Sequence, residues 1–330
     1  MRNRQGTLQP VHQAMVEARP EKSAVRKLWI ERAVHHSCQS PNLDDSLYLT
    51  LSGAEGEEIS MLIEAGLLKL TEVNSIDSKF QQRVVAIESN HVAYTRLQTK
   101  FPGLKIIRDP VSELLRGSTR TRYPQGEPER ICRSRIVNLD LNQAWKPQLV
   151  EGHWMVPVAR WIQKFAEMHA RSPKLGWSLF LTLHGECPWE APSASLIGDE
   201  IRALSELHAA IKNNVENWLT SPVFTQILEN AISSYKDLDV ELQQRVLMWL
   251  VPSVIVRDCA TQGWSISIRH NLRYGQPPEQ APMVTWIIDF NVPGREALSY
   301  DRELLAGLTD VLNRAGYIDA RGNVNYYDRS

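Results

Sequence analysis

Glu88, Asp140 and His184 stand at or near the ends of three apolar runs, "RVVAIES" at 83–89, "RIVNLDL" at 135–141 and "WSLFLTLHGE" at 177–186. If these runs are parallel strands, the three side chains reach the carboxyl edge of the sheet, where open α/β sheets bind their ligands. Asp140 lies inside its run, and burying a carboxylate without a partner costs on the order of several kcal/mol. It therefore requires a partner or a ligand. Alternation along the strand puts Asn138, Asp140 and Asn142 on one face and Val137, Leu139 and Leu141 on the other. Asn138 can serve chemistry or bond a neighbouring loop, and His184 can meet a substrate or be a hydrogen-bonded structural residue. A fourth run, "LYLTLSGAEGEE" at 47–58, breaks at Gly53 and Gly56 and turns acidic. Such a turn lets a backbone approach a ligand, or only lets a strand meet a helix closely.

These residues need a scaffold of alternating strands and helices, and the order of segments supplies one. The strand "SLYLTLSG" precedes a helix, "EGEEISMLIEAGLLKL", with Ile59, Leu62, Ile63 and Leu67 at helical spacing and Glu55, Glu57 and Glu58 at the positive end of its dipole. "RVVAIES" precedes "NHVAYTRLQTKFPG", which Asn90 can cap. "LKIIR" at 104–108 precedes "DPVSELLRG", with Asp109 as cap and Pro110 at the first helical position. "RIVNLDL" and a helix, "PVARWIQKFAEMHAR", lead to the fifth strand. Residues from about 190 to 260 read as helical throughout. Two further strands, 264–274 and 283–290, are joined by the turn "GQPPEQAP" as an antiparallel pair. A C-terminal helix ends at Gly316, and an amphipathic helix around "SAVRKLWIERAVHH" precedes the first strand, with Val25, Leu28, Trp29, Ile30 and Val34 turned inward.

Five strand and helix units, a helical stretch and a closing antiparallel hairpin resemble the layout of the class I S-adenosylmethionine-dependent methyltransferases over roughly residues 45 to 290. The resemblance implies an α/β fold with a doubly wound, mostly parallel seven-stranded sheet. It divides the chain into a helical lead-in at 1–45, a Rossmann-like cofactor-binding core at 46–190, a helical insertion at 191–260, and a hairpin with C-terminal helix at 261–330. It also implies S-adenosylmethionine as cofactor, with Ser52, Gly53, Glu55 and Gly56 in the turn near its methionine part. Glu88 would bind the ribose hydroxyls, since a carboxylate accepts two hydrogen bonds from a vicinal diol. Asp109 would face the adenine. Asn138 and Asp140 would stand at the transferred methyl, Asp140 as proton acceptor or amine ligand, with Asn142 and His184 toward the substrate. The turn departs from the family in carrying Thr50 and Ser52 where an acidic residue precedes the first glycine. That departure fits a rival reading, a catalytically inactive relative that binds partners. An ordinary NAD-binding enzyme is a second rival, against which the closing hairpin argues.

Composition narrows the partners. Hydrophobic residues at 43% and charged residues at 23% of 330 are those of a globular protein, with no run near the ~20 apolar residues of a membrane helix. The N-terminus lacks the apolar core of a signal peptide, so a cytoplasmic location is expected. Cys38, Cys132, Cys187 and Cys259 show no metal-ligand spacing and read as free buried thiols. A formal net charge of −1 gives no global attraction to nucleic acid. The arginine-rich segment 116–135 is the local candidate for nucleic-acid binding, or else a solvated loop. The helical insertion is a candidate lid or protein-partner surface, although Trp218, Leu219, Phe224, Ile227, Leu247, Trp249 and Leu250 equally suit a helical core. The methyl acceptor is left open.

Overall fold

A computed structural model describes residues 19–39, 47–116, 126–150, 153–171, 176–229, 232–275, 280–292 and 300–327. In chain order, α1 (Pro20–Gln39) precedes β1 (Tyr48–Thr50), α2 (Glu57–Glu64), β2 (Val84–Ile87), α3 (His91–Lys100), β3 (Lys105–Ile107), α4 (Val111–Arg116), α5 (Glu127–Cys132) and β4 (Ile136–Asp140). A hairpin of β5 (Gln148–Val150) and β6 (His153–Met155) leads to α6 (Pro157–Ala170) and β7 (Trp177–His184). Four helices follow: α7 (Ser193–Ser205), α8 (Ala209–Leu219), α9 (Ser221–Leu228) and α10 (Val240–Ala260). The chain closes with β8 (Ser265–Tyr274), β9 (Met283–Asn291), α11 (Tyr300–Asn313), β10 (Ala315–Ile318) and β11 (Val324–Tyr326).

The protein is an α/β structure built on one nine-stranded, mostly parallel sheet in the order β11-β10-β8-β9-β7-β4-β1-β2-β3. Strand β9 runs antiparallel to both β7 and β8, which is the expected hairpin. Successive side chains on the central strands take opposite sides. Leu49, Val85, Val137, Leu139, Leu179 and Leu181 join an apolar cluster with α4, α6, α7 and α10, while Tyr48, Val84, Ala86, Ile136 and Phe180 join a second with α1, α2 and α3. Both faces of the sheet are thus covered, which is why its strands read as continuous apolar runs.

Nine strands replace the expected seven. The segment after Asn313 was expected to end a helix at Gly316, yet it forms β10, parallel to β8, with β11 antiparallel at the edge. Gly316 is a close-approach glycine, because a Cβ there would run into the carbonyl oxygen of Asn325 on the paired strand. The β5–β6 hairpin, paired as a separate two-stranded sheet, was also not expected. The helical insertion faces inward: Leu219, Phe224, Ile227, Leu247, Trp249 and Leu250 lie in the main apolar cluster and Trp218 packs against it. These side chains build a core, while Leu196 and Leu207 of the same insertion are exposed. Within the arginine-rich segment, 117–125 lie outside the described residues, and 127–132 are helix α5 rather than loop. Cys38 is exposed, whereas the thiols of Cys132, Cys187 and Cys259 are buried; all four are free.

Candidate functional site at the carboxyl rim

Strand β1 lies between β2 and β4 and is parallel to both, so the carboxyl ends of the three strands share one rim. After β1 the chain turns through Ser52, Gly53, Ala54 and Glu55 to Gly56, whose N–H donates to the Gly53 carbonyl (3.0 Å). Gly56 caps α2 in the left-handed region at φ 55°. A Cβ there would stand 2.6 Å from the Phe101 ring and 2.8 Å from Leu97. The glycine is therefore required by the packing of this turn against α3. Ser52 is buried, and Glu55 is half exposed with Arg96 at 3.7 Å.

Glu88 follows β2 and is partly buried, its Oε1 accepting the Asn90 N–H at 2.6 Å. Burial pushes its carboxyl above the usual range, and among the described residues no cation forms an ion pair with it. Asn90 caps α3, its Oδ1 accepting from the N–H groups of Val92 and Ala93, as the sequence predicts. Asp109, partly buried, follows β3. An open groove of about 480 Å³ runs between the turn and α3, lined by Ala54, Glu55, His91, Val92 and Arg96 among others. Glu88, Asp109 and Asp140 do not line it.

Asn138 and Asp140 do share the face expected of them, but each is committed to the fold. The Asn138 amide is fully buried and donates to Glu58 Oε2 (2.8 Å) and the Tyr48 hydroxyl (3.1 Å). No substrate reaches it there. Asp140 forms an ion pair with Lys22 of α1 at 2.5 Å. Burial alone would lower the Lys22 pKa, but the attraction of Asp140 outweighs it and holds the ammonium charged. Asn142 and His184 are brought together, with His184 Nε2 and Asn142 Oδ1 2.5 Å apart. Thus Asp140, Asn142 and His184 cluster around the ends of β4 and β7, with Glu88 at the end of β2.

Three functional candidates were missed by the sequence reading. Glu58, in the first turn of α2, is buried and accepts a hydrogen bond from the Thr50 hydroxyl as well as from Asn138. Its carboxylate lies against Thr50 of β1. Burial pushes its pKa up to about 7, against the hydrogen bond from Thr50, which lowers it. Lys22 and Arg26 stand four residues apart on α1, so they share one side of the helix. Lys22 reaches Asp140 and Arg26 reaches Glu57, which brings two cations to the rim. Glu58 was legible only as a favourable charge at a helix start, and the α1 cations gave no local signal of their strand partners.

No protein-family model matches this chain, and no curated protein matches it. Among the described residues no group of three or more His, Cys, Asp and Glu side chains is placed to hold a metal ion, and no helix is long and apolar enough to cross a membrane.

Proposed function

We propose that the chain is a methyltransferase-like protein that binds S-adenosylmethionine at the carboxyl rim of β1, β2 and β4. The observation that carries this reading is the strand order. From β1 the chain adds β2 and β3 on one side, then crosses to add β4 and β7 on the other. That supports a doubly wound sheet with its switch point between β1 and β4, and ligands of open α/β sheets bind at the switch point. Gly53, Glu88 and Asp140 belong to strands at that crevice. The antiparallel β9 supports the methyltransferase layout over an ordinary dinucleotide fold.

The side chains present fit such a cofactor. Among the described residues no cation pairs with Glu88, so its carboxylate is available to a ribose diol, whereas the nearby cations Lys22 and Arg26 are already held by Asp140 and Glu57. The bound cofactor would supply an activated methyl group on a sulfonium. The chain's task is then to hold an acceptor in line and exclude water. Because Lys22 already holds Asp140, the acceptor side of the rim is better suited to a nucleophile that needs no strong base. The same pair favours a second reading: an inactive methyltransferase-like subunit, in which Lys22 takes the place an acceptor amine would occupy.

Isothermal titration with S-adenosylmethionine and S-adenosylhomocysteine tests the proposal, with Glu88→Ala as control. Micromolar binding, lost in the variant, is the expected result. Absence of heat with both ligands would overturn cofactor binding and leave the second reading.

A further inference from the structure

Helix α3 is lightly seated on the sheet. Of its ten side chains only Leu97 is buried, close to Gly56 together with Phe101. His91, Val92, Thr95, Arg96, Thr99 and Lys100 recur in pairs four residues apart, so they form one stripe along the helix. That stripe lines the open groove of about 480 Å³, with Ala54 and Glu55 of the turn opposite.

The outward stripe of a surface helix is ordinarily polar. This one is mixed, since Val92 is 62% exposed. The hydroxyls of Thr95 and Thr99 donate to the carbonyls of His91 and Thr95 (2.9 Å each), which turns both toward the helix's own backbone. The groove is therefore lined mainly by carbon, and its charge is concentrated at Arg96, Lys100 and Glu55.

Residues 89–108 contain four Lys and Arg and no Asp or Glu, so α3 brings no carboxylate to its own cations. Arg96 reaches Glu55 at 3.7 Å, a long contact between side chains that are both about half exposed. Pairs of that kind contribute little, because water and salt screen them. The Lys100 ammonium donates to the Glu55 carbonyl oxygen at 2.5 Å, an uncharged acceptor, and stands 5.5 Å from the Phe101 ring. Among the lining residues, one carboxylate thus faces two cations and holds one of them loosely.

We propose that the groove along α3 docks a short acidic segment of a partner protein that carries apolar side chains. An apolar side chain of the partner covers Val92 and the carbon lining, while its carboxylates meet Lys100 and Arg96, where complementary charge fixes register. Among the described residues the lining includes no Phe, Tyr or Trp ring for a nucleobase to stack on, which favours a peptide over single-stranded nucleic acid. Ala54 and Glu55 also belong to the turn of the proposed cofactor rim, but Glu88 and Asp140 lie outside the groove. Docking is measured without cofactor, so its failure is distinct from a failure of the cofactor reading.

Labelled peptides of about ten residues, matched to the ~15 Å length of the helix, are titrated into the full chain by fluorescence anisotropy. One alternates Glu with Leu, one Glu with Ser and one Lys with Leu. Saturable binding of the Glu/Leu peptide alone is expected. Arg96→Glu should weaken it about tenfold by turning attraction into repulsion, and Val92→Ser about threefold by removing apolar contact. Both side chains are exposed and Leu97 is untouched, so the helix keeps its seat. Lys212→Glu, the same change of charge at an exposed residue of α8, should bind like wild type. The proposal is overturned by no saturable binding of the Glu/Leu peptide at on the order of 1 mM, by equal binding of either other peptide, by Arg96→Glu and Val92→Ser binding like wild type, or by an equal loss in Lys212→Glu. Binding of a single-stranded oligonucleotide that depends on Arg96, with none of the Glu/Leu peptide, would assign the groove to nucleic acid and overturn it too.

Discussion

Replacing Glu58 by Gln removes one buried charge while keeping a side chain of the same shape between Thr50 and Asn138. Glu58 is 5% exposed, and burial raises its pKa from 4.5 to about 7. Between those values the unfolded chain has released a proton that the folded chain keeps, so stability falls as pH rises through the window. At ~1.4 kcal/mol per pH unit the charge costs about 3 kcal/mol by pH 8 and nothing below pH 4.5. Glu58→Gln carries no such dependence. Its amide oxygen can accept from Asn138 and its NH₂ can donate to the Thr50 hydroxyl. The variant should therefore match wild type near pH 5 to within about 1 kcal/mol and exceed it by about 3 kcal/mol at pH 8. Urea unfolding followed by circular dichroism at both pH values, with unchanged slopes, measures the difference. A difference that is the same at pH 5 and pH 8 would refute the reasoning, since Glu58 would then ionise as an exposed carboxylate does.

His36 supplies the opposite limb. Its pKa is depressed from 6.5 to about 3, so its contribution is complete above pH 6.5 and is lost as pH falls. The loss reaches about 3 kcal/mol by pH 4.5, and His36→Gln should flatten the acid side of a melting-temperature profile. Gly56→Ala should cost about 2 kcal/mol, combining a left-handed backbone with contact against Phe101 and Leu97, and Gly56→Ala with Phe101→Leu should recover part of it in chemical denaturation. Lys22→Met should cost about 2 kcal/mol by leaving Asp140 unpaired at a partly exposed site. Adding Asp140→Asn should restore most of that loss, read as a coupling energy in a double-mutant cycle.

What was legible in the sequence is what local periodicity encodes. The five parallel units, the helical stretch and the β8–β9 pair follow from apolar runs broken by turn residues, and Asn90 caps its helix as its position requires. The two additional strands were not legible. "AGYI" and "VNY" are short, and Gly316 has the same one-letter signature whether it stops a helix or admits a neighbouring strand. The β5–β6 hairpin is hidden because its three-residue strands lie outside the strand-and-helix alternation that marked the equally short β1 and β3. At the rim, the strand positions of Asn138 and Asp140 could be read, but whether they face a ligand or a partner could not. Their partners, Glu58 and Lys22, are 80 and 118 residues away in the chain.

The α1 helix shows where the missing information resides. Lys22, Arg26, Trp29, Ala33 and His36 recur at intervals of three and four residues and are all buried, so one stripe carries both charge and apolar contact. Read by hydrophobicity alone, the stripe is Val25, Leu28, Trp29, Ile30 and Val34, of which Val34 is in fact exposed. The inward face is turned by its charges: Lys22 and Arg26 are held at the carboxyl rim by Asp140 and Glu57, Trp29 stacks on Phe180 at 6.1 Å, and Arg32 and His36 are held at the opposite edge by Asp289 and Ser178. A helix of 20 residues spans about 30 Å, enough to cross a sheet from edge to edge. Apolar contact seats α1 against the sheet, and ion pairs at its two ends fix which way it lies. Orientation of this kind is written in pairs of distant residues, and a single sequence displays the members of each pair without the pairing.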